Sequence, residues 1–188
     1  MSNNYCRQFE KFEIDFEPLY RIQKNHDLSK LMIFAYPVVD PRLTAWLKTF
    51  NLMVSTAEVF HVPANTKMPI HVDEDKFSNN CKMNWVIGGG DMVWWQPDES
   101  LPLSYHTTPI GTKYLLFDEK DCTVLHREPI GQPSLVNVGV PHSIDNYTNE
   151  SRWCISHNLN DINTRKIVQW DDAIERFERG QDGNAADC

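Results

Sequence analysis

The stretch HSIDNYTNESRWCISHNL, residues 142–159, decides how this chain is read as a fold. Its two ends, HSIDN and RWCISHNL, carry strand-like texture, while the central YTNES is turn-like, so the segment predicts a β-hairpin. Side chains alternate along a strand, which places Arg152, Cys154 and Ser156 on one face and Trp153 and Ile155 on the other. Pro141 sits immediately before His142 and helps fix how the first of the two strands begins.

Working outward, the same texture recurs upstream. AEVFHV (57–62), CKMNWVIG (81–88), DMVWWQP (91–97), KYLLFD (113–118), CTVLHRE (122–128) and SLVNVG (134–139) are short apolar or β-branched runs punctuated by Pro, Gly and Asn. Such spacing predicts a sandwich or barrel of short antiparallel strands. Before them, Asp40-Pro41 offers an N-cap and a Pro at the first helical position, after which Leu43, Trp46, Leu47 and Phe50 share one helical face that packs on a sheet. Near the end, Trp170, Ala173, Ile174 and Phe177 repeat that spacing, and Gly180 is placed to stop the helix. No repeat or linker divides the chain. The expected organisation is one domain over residues 1–188: mainly β with flanking helices (α+β), a β core at about 57–160, helical elements on both sides and a frayed tail at 181–188.

Composition narrows the function classes. A length of 188 residues suffices for a core without staples. The five cysteines are odd in number and scattered, with no C-x-x-C pair, so neither a disulfide framework nor a thiolate zinc site is signalled. A reducing, cytoplasmic setting is expected. No signal-peptide pattern opens the chain, and no apolar run approaches a membrane span. The net charge of -8, without a basic block, argues against a nucleic-acid partner held by phosphate neutralisation.

Two distant spots carry the chemistry: His71-Val72-Asp73, and His142 followed ten positions later by Arg152. Two imidazoles and one carboxylate are the ligand set of the facial triad that holds non-heme Fe(II) and leaves coordination positions open. Residues two apart in a strand share a face, so His71 and Asp73 can act from one short extended segment if its end turns, with Val72 pointing away. The 71 residues from His71 to His142 leave room for several strands to return to the same site.

The segments VFHVPANTKMPIHVD, CKMNWVIGGG, MVWWQPD and LVNVGVPHSIDNYTNESRWCISHNL, in this order, resemble the Fe(II)/2-oxoglutarate dioxygenase superfamily. Within it, the aspartyl/asparaginyl hydroxylase-like group and its phage and marine-microbial members are nearest. The resemblance spans roughly residues 40–160. It implies a double-stranded β-helix, a cupin-like jelly roll with the metal near one open end, and His71, Asp73 and His142 as iron ligands and catalytic residues. It also implies 2-oxoglutarate as co-substrate, O2 as oxidant, hydroxylation of a C–H bond in a small-molecule or peptidyl substrate, and release of succinate and CO2. Arg152 suits the distal carboxylate of 2-oxoglutarate, because a guanidinium forks onto two oxygens. Ser156 can add a hydroxyl bond. The chain departs from the frequent Arg-x-Ser form, since Cys154 stands two positions after Arg152, and which neighbour assists the arginine stays open.

Asn84 is a further candidate for the co-substrate, sharing its face with Lys82; the other reading has Asn84 satisfying backbone groups inside the barrel. Gly88-Gly89-Gly90 lacks the Lys-Ser/Thr ending of a phosphate loop and reads as a turn. Trp94 and Trp95 point to opposite faces and are expected to pack as core. His61 replaces a ligand only in a different strand register, and His106, His126 and His157 are expected to be surface or core residues. The alternative from another class is a non-catalytic cupin-like binding module with a vestigial metal site. A cupin isomerase or dioxygenase working without 2-oxoglutarate has no obvious use for Arg152.

Overall fold

The structure is a computed structural model that describes residues 4–9, 27, 29–35, 39–74, 76–100, 102–107, 113–130 and 133–184. Its strands are β1 (Cys6–Gln8), β2 (Met32–Ala35), β3 (Leu52–Val62), β4 (Thr66–Lys67), β5 (Ile70–Val72), β6 (Cys81–Ile87), β7 (Asp91–Pro97), β8 (Ser104–Thr107), β9 (Lys113–Phe117), β10 (Cys122–Pro129), β11 (Ser134–Asn137), β12 (His142–Asn146) and β13 (Arg152–Asp161). Among the described residues two α-helices join them, α1 (Pro41–Lys48) and α2 (Trp170–Asn184).

One sheet has the order β1-β11-β6-β13-β3-β2 and the other β10-β7-β12-β5-β9-β8, with β4 also pairing β12. Every pairing is antiparallel. The chain passes from β3 across to β4 and β5, back to β6, across to β7, and later from β10 to β11, to β12 and to β13 on alternate sheets. The inner quartets β11-β6-β13-β3 and β10-β7-β12-β5 are therefore the eight strands of a double-stranded β-helix, a cupin-like jelly roll.

Packing follows strand alternation. Trp153, Ile155 and Leu159 of β13 face outward with Val59, Met83 and Trp85, and bury Leu43 and Leu47 of α1 and Ala173 and Phe177 of α2. Asp40 caps α1 by accepting from Arg42 N at 2.8 Å, with Pro41 next in line. The opposite face of β13 looks between the sheets, where Val86, Met92, Trp94, Val136 and Val138 form a second cluster against Cys154 and Ile144. Trp94 and Trp95 fall into separate clusters, and each indole N–H has an acceptor, Asn137 O at 2.8 Å and Ser143 Oγ at 2.9 Å.

Three expectations change. Residues 142–146 and 152–159 alternate as expected but do not form a hairpin: β12 and β13 lie in different sheets, each between two other strands. YTNES arches across the sandwich instead, stitched by Asn146, whose amide donates to Val62 O, Pro63 O and Glu150 O and whose Oδ1 accepts from Thr148 Oγ1 at 2.7 Å. The β core starts at Leu52, before residue 57, and β1, β2 and β8 add strands that the texture did not reveal. Finally, α2 runs through Gly180 to Asn184, because a glycine inside a helix costs only about 1 kcal/mol and no proline follows. The remainder of the expected tail, 185–188, lies outside the described residues.

The end of β13 is locked to α2 and to the turn before β3 through Asp161. Its Oδ1 accepts from Asn163 N and Thr164 N at 2.9 and 2.7 Å, and its Oδ2 accepts from Arg176 Nη1 at 2.8 Å and Asn51 Nδ2 at 3.2 Å. These bonds, first that from Thr164 N and then that from Arg176, hold the carboxyl down to about 2. A folded-state value below the unfolded one gives stability that is present above pH ~4 and lost as pH falls toward 2. The urea midpoint of Asp161→Ala is thus expected below wild type at pH 7, with the gap closing between pH 4 and 2. A gap independent of pH would show that ionisation of Asp161 plays no part in holding α2.

Candidate metal centre and inner cavity

His71, Asp73 and His142 meet at one end of the sandwich. β5 and β12 are adjacent, and their register puts His71 directly opposite His142. Asp73 follows the end of β5 on the same side as His71, while Val72 is fully buried on the other. One ligand atom from each of the three lies within 4.8 Å of the others. Asp73 Oδ1 is 3.3 Å from His71 Nε2 and 3.8 Å from His142 Nε2.

Both imidazoles are oriented by the carbonyl two residues earlier. His71 Nδ1 donates to Pro69 O at 3.0 Å, and His142 Nδ1 donates to Val140 O at 2.9 Å. His71 Nε2 faces the ionised Asp73 Oδ1 as a donor; a carbonyl can only accept, so each Nδ1 also carries hydrogen, and the Nδ1–H form leaves Nε2 as the nitrogen for a metal. That tautomer is what metal ligation needs, and the carbonyls are the outer partners that fix ring orientation. Burial pushes His142 down to about 4, so it is neutral at physiological pH. Burial also acts downward on His71, but the bond and charge of Asp73 outweigh it and leave the imidazole above its ordinary value.

Asp73 has a second partner. Its Oδ2 lies 2.8 Å from Lys82 Nζ, which also reaches Glu58 Oε2 at 3.5 Å. Burial alone would raise the Asp73 carboxyl; Lys82 and the two histidines overcome it and hold it well below the usual range. Lys82 occupies one oxygen and leaves Oδ1 toward the imidazoles. The donor set of two Nε2 and one carboxylate oxygen, all within 4.8 Å of one another, fits a divalent first-row metal.

Arg152 lines the same cavity. This inner cavity, about 60 Å³, is bounded by His71, Asp73, His142, Lys82, Asn84, Arg152, Cys154 and Ser156, together with apolar walls that include Phe60, Met92 and Ile144. Arg152 is only 2% exposed. Its Nη1 donates to Gly89 O and Gly90 O, both at 3.1 Å, and its Nε is buried without a partner among the described residues. Among the described residues no carboxylate pairs with it, and burial lowers its pKa. Asn84 and Ser156 are buried opposite each other in the β6–β13 register, and Asn84 Oδ1 has no partner among the described residues.

The Gly88–Gly90 turn does more than reverse the chain. Gly88 and Gly90 have φ of 95° and 86°, and a Cβ on Gly90 would stand 2.7 Å from Asp145 O. Gly90→Ala is expected to destabilise the fold by about 1–3 kcal/mol, read as a shift in urea midpoint, and to disturb the carbonyl pair under Arg152. Wild-type stability in that variant would contradict the tight seat.

The other described histidines, His61, His106, His126 and His157, lie apart from this cluster. His61 is buried against Trp153 with Nδ1 on Lys30 O, and His157 packs on Trp85 with Nδ1 on Met83 O. His106 is exposed, and His126 contacts Glu128. Two features escaped the sequence reading: the Lys82–Asp73 pair, although Lys82 was placed on the inner face, and the paired carbonyl contacts, for which the sequence offers no signal.

The fold and these side chains define a cupin-like jelly roll with a His-Asp-His cluster at its mouth. No family model and no curated protein matches the sequence. Among solved structures, oxalate oxidase in complex with the substrate analogue glycolate is similar over 90% of this chain and 72% of its own, at 13% identity and TM-score 0.40. E. coli ycfD is similar over 62% of this chain and 28% of its own, at 13% identity and TM-score 0.37. The apo non-heme monooxygenase ThoJ is similar over 76% of this chain and 72% of its own, at 12% identity and TM-score 0.35. The strand topology above carries the fold assignment.

Proposed function

We propose that this chain is an Fe(II)- and 2-oxoglutarate-dependent dioxygenase that hydroxylates a C–H bond of a small-molecule or peptidyl substrate. The observation that carries the reading is Arg152: a guanidinium buried beside the His-Asp-His cluster without a carboxylate partner among the described residues. A buried cation without a counter-charge is costly, and a dianionic co-substrate supplies what is missing. His71, Asp73 and His142 would hold iron, and Arg152 would take the distal carboxylate, with Asn84 and Ser156 as neighbours on the inner strands.

Iron together with 2-oxoglutarate and O2 supplies, when bound, the oxidising chemistry that yields succinate, CO2 and a hydroxylated product. The chain's own contribution is placement. Lys82 limits Asp73 to one free oxygen, the two carbonyls fix the imidazole rings, and the Gly89 and Gly90 carbonyls aim Arg152. Phe60, Met92, Val138 and Ile144 keep the inner cavity partly dry, which strengthens each polar contact inside it.

The test is succinate release by protein purified anaerobically and supplied with Fe(II), 2-oxoglutarate and O2. Release that requires all three supports the reading. No release, with no visible charge-transfer band on adding 2-oxoglutarate anaerobically to the Fe(II) protein, would favour a non-catalytic jelly-roll binding module.

A further inference from the structure

Outside the inner cavity lies a larger pocket of about 580 Å³ that shares Phe60, Met68, His71, Asp73, Lys82 and Val138 with it. Its charge is one-sided. The wall carries three carboxylates, Glu58, Asp73 and Glu74, against one ammonium, Lys82. That ammonium is already engaged by Asp73 and Glu58.

Each carboxamide of the wall uses one N–H within the protein. Asn80 Nδ2 donates to Glu74 Oε1 at 2.5 Å, Asn158 Nδ2 to Thr56 Oγ1 at 2.7 Å, and Asn160 Nδ2 to Arg165 O at 2.6 Å. Unused oxygens remain beside the second N–H of each amide. Glu58 Oε1, Glu74 Oε2 and Asn158 Oδ1 make no hydrogen bond among the described residues, and Asn160 Oδ1 is buried with none. The donors still available on the wall, the second amide N–H groups and the hydroxyls, are neutral, while the excess acceptors are carboxylates. The rest of the surface is apolar, with Ile33 and Ile167 exposed at the rim and Phe60, Met68 and Leu116 further along it.

A wall with this excess of carboxylates and an otherwise apolar surface suits a ligand with positive charge on an apolar stem. We propose that the outer pocket binds an alkyl ammonium or alkyl guanidinium, as on a basic amino acid or a basic peptide side chain, with Glu58 as its principal anchor and Glu74 as a second carboxylate. As the substrate class of the oxygenase, this rests on the function proposed above; as a binding site, it stands on the pocket alone. Glu58 is one ion pair away from Asp73, so a cation seated there leaves its stem beside the His-Asp-His cluster. The overall charge of -8 favours approach of the same ligands.

The experiment measures direct binding to the metal-free chain by ligand-observed NMR titration. The probes are butylguanidinium, butylammonium, free L-arginine and an N-acetylated, C-amidated Gly-Arg-Gly peptide, with hexanoate and butanol as controls. The cations are expected to bind, more weakly as salt is raised, and the controls to bind at least about tenfold more weakly. Glu58→Gln, nearly isosteric and at a partly exposed position, is expected to weaken the cations by about 10-fold or more without changing the thermal midpoint. Glu74→Gln provides a second variant if the first is unstable. Preference for the free amino acid over the peptide assigns a small-molecule source, and the reverse a peptidyl one. Equal binding of hexanoate and butylammonium, or unchanged cation affinity in the glutamine variants, overturns the proposal. Cation binding without 2-oxoglutarate-dependent succinate release would leave this site standing and remove the oxygenase reading; succinate release with no cation binding would do the opposite.

Discussion

His142→Ala is expected to abolish 2-oxoglutarate turnover and to remove tight Fe(II) binding, while the chain keeps its β-rich circular dichroism. The residue is 5% exposed at the start of β12, between His71 on one side and Trp94 on the other. Its imidazole is neutral near pH 7, with Nδ1 held by Val140 O, so the Nε2 lone pair is available without deprotonation. Loss of that nitrogen leaves two donors, too few for a facial triad. Truncating a buried side chain also costs folding stability, so Fe(II) binding and circular dichroism are read on the same sample. A folded His142→Ala protein that still releases succinate would remove this residue from the metal set.

The second large effect concerns Arg152. A charge-assisted bond to a carboxylate contributes about 1.5–3 kcal/mol, and each 1.4 kcal/mol is tenfold, so Arg152→Ala should weaken 2-oxoglutarate binding by roughly 10- to 150-fold. Fe(II) affinity should barely move. Arg152→Lys should recover only part of the loss, since a point charge replaces a fork. Thermal stability offers a separate readout. At a concentration near 100 times the wild-type Kd, 2-oxoglutarate should stabilise the wild-type protein by about 2.7 kcal/mol, and Arg152→Ala should lose about half to nine-tenths of that increment. An unchanged half-saturating concentration in Arg152→Ala would pass the role to Lys82, the other cation of the inner cavity.

What the sequence disclosed was mostly periodic. The alternation that set Arg152, Cys154 and Ser156 against Trp153 and Ile155 needs only the strand repeat of two, and the structure places those side chains accordingly. Partner choice is a different matter. The arch at YTNES has the composition of a hairpin turn, and only Asn146 bonding across to Val62 O and Pro63 O distinguishes a crossing between sheets from a reversal within one. The strands β1, β2 and β8 are short and lie at or near sheet edges, where few contacts enforce a pattern. Within the site, residue types were legible and their mutual bonds were not. His71, Asp73, His142, Arg152, Asn84 and Ser156 share one cavity, but the lysine on Asp73 depends on strand register, and the carbonyls on the imidazoles depend on backbone angles.

The pairing of β3 with β13 matters during synthesis. Val62 lies opposite Arg152, and Leu52 lies opposite Asp161, so one edge of β3 waits for a partner made 90 or more residues later. At about 5–20 residues per second, that edge is bare for roughly 5–18 s on a translating ribosome. The helices that cover the outer face are split in the same way, since α1 precedes β3 and α2 is made last. A nascent chain halted before residue 152 therefore holds His71, Asp73 and His142 but lacks the strand that closes the wall around them, and its apolar β3 edge is open to pairing with a neighbouring chain.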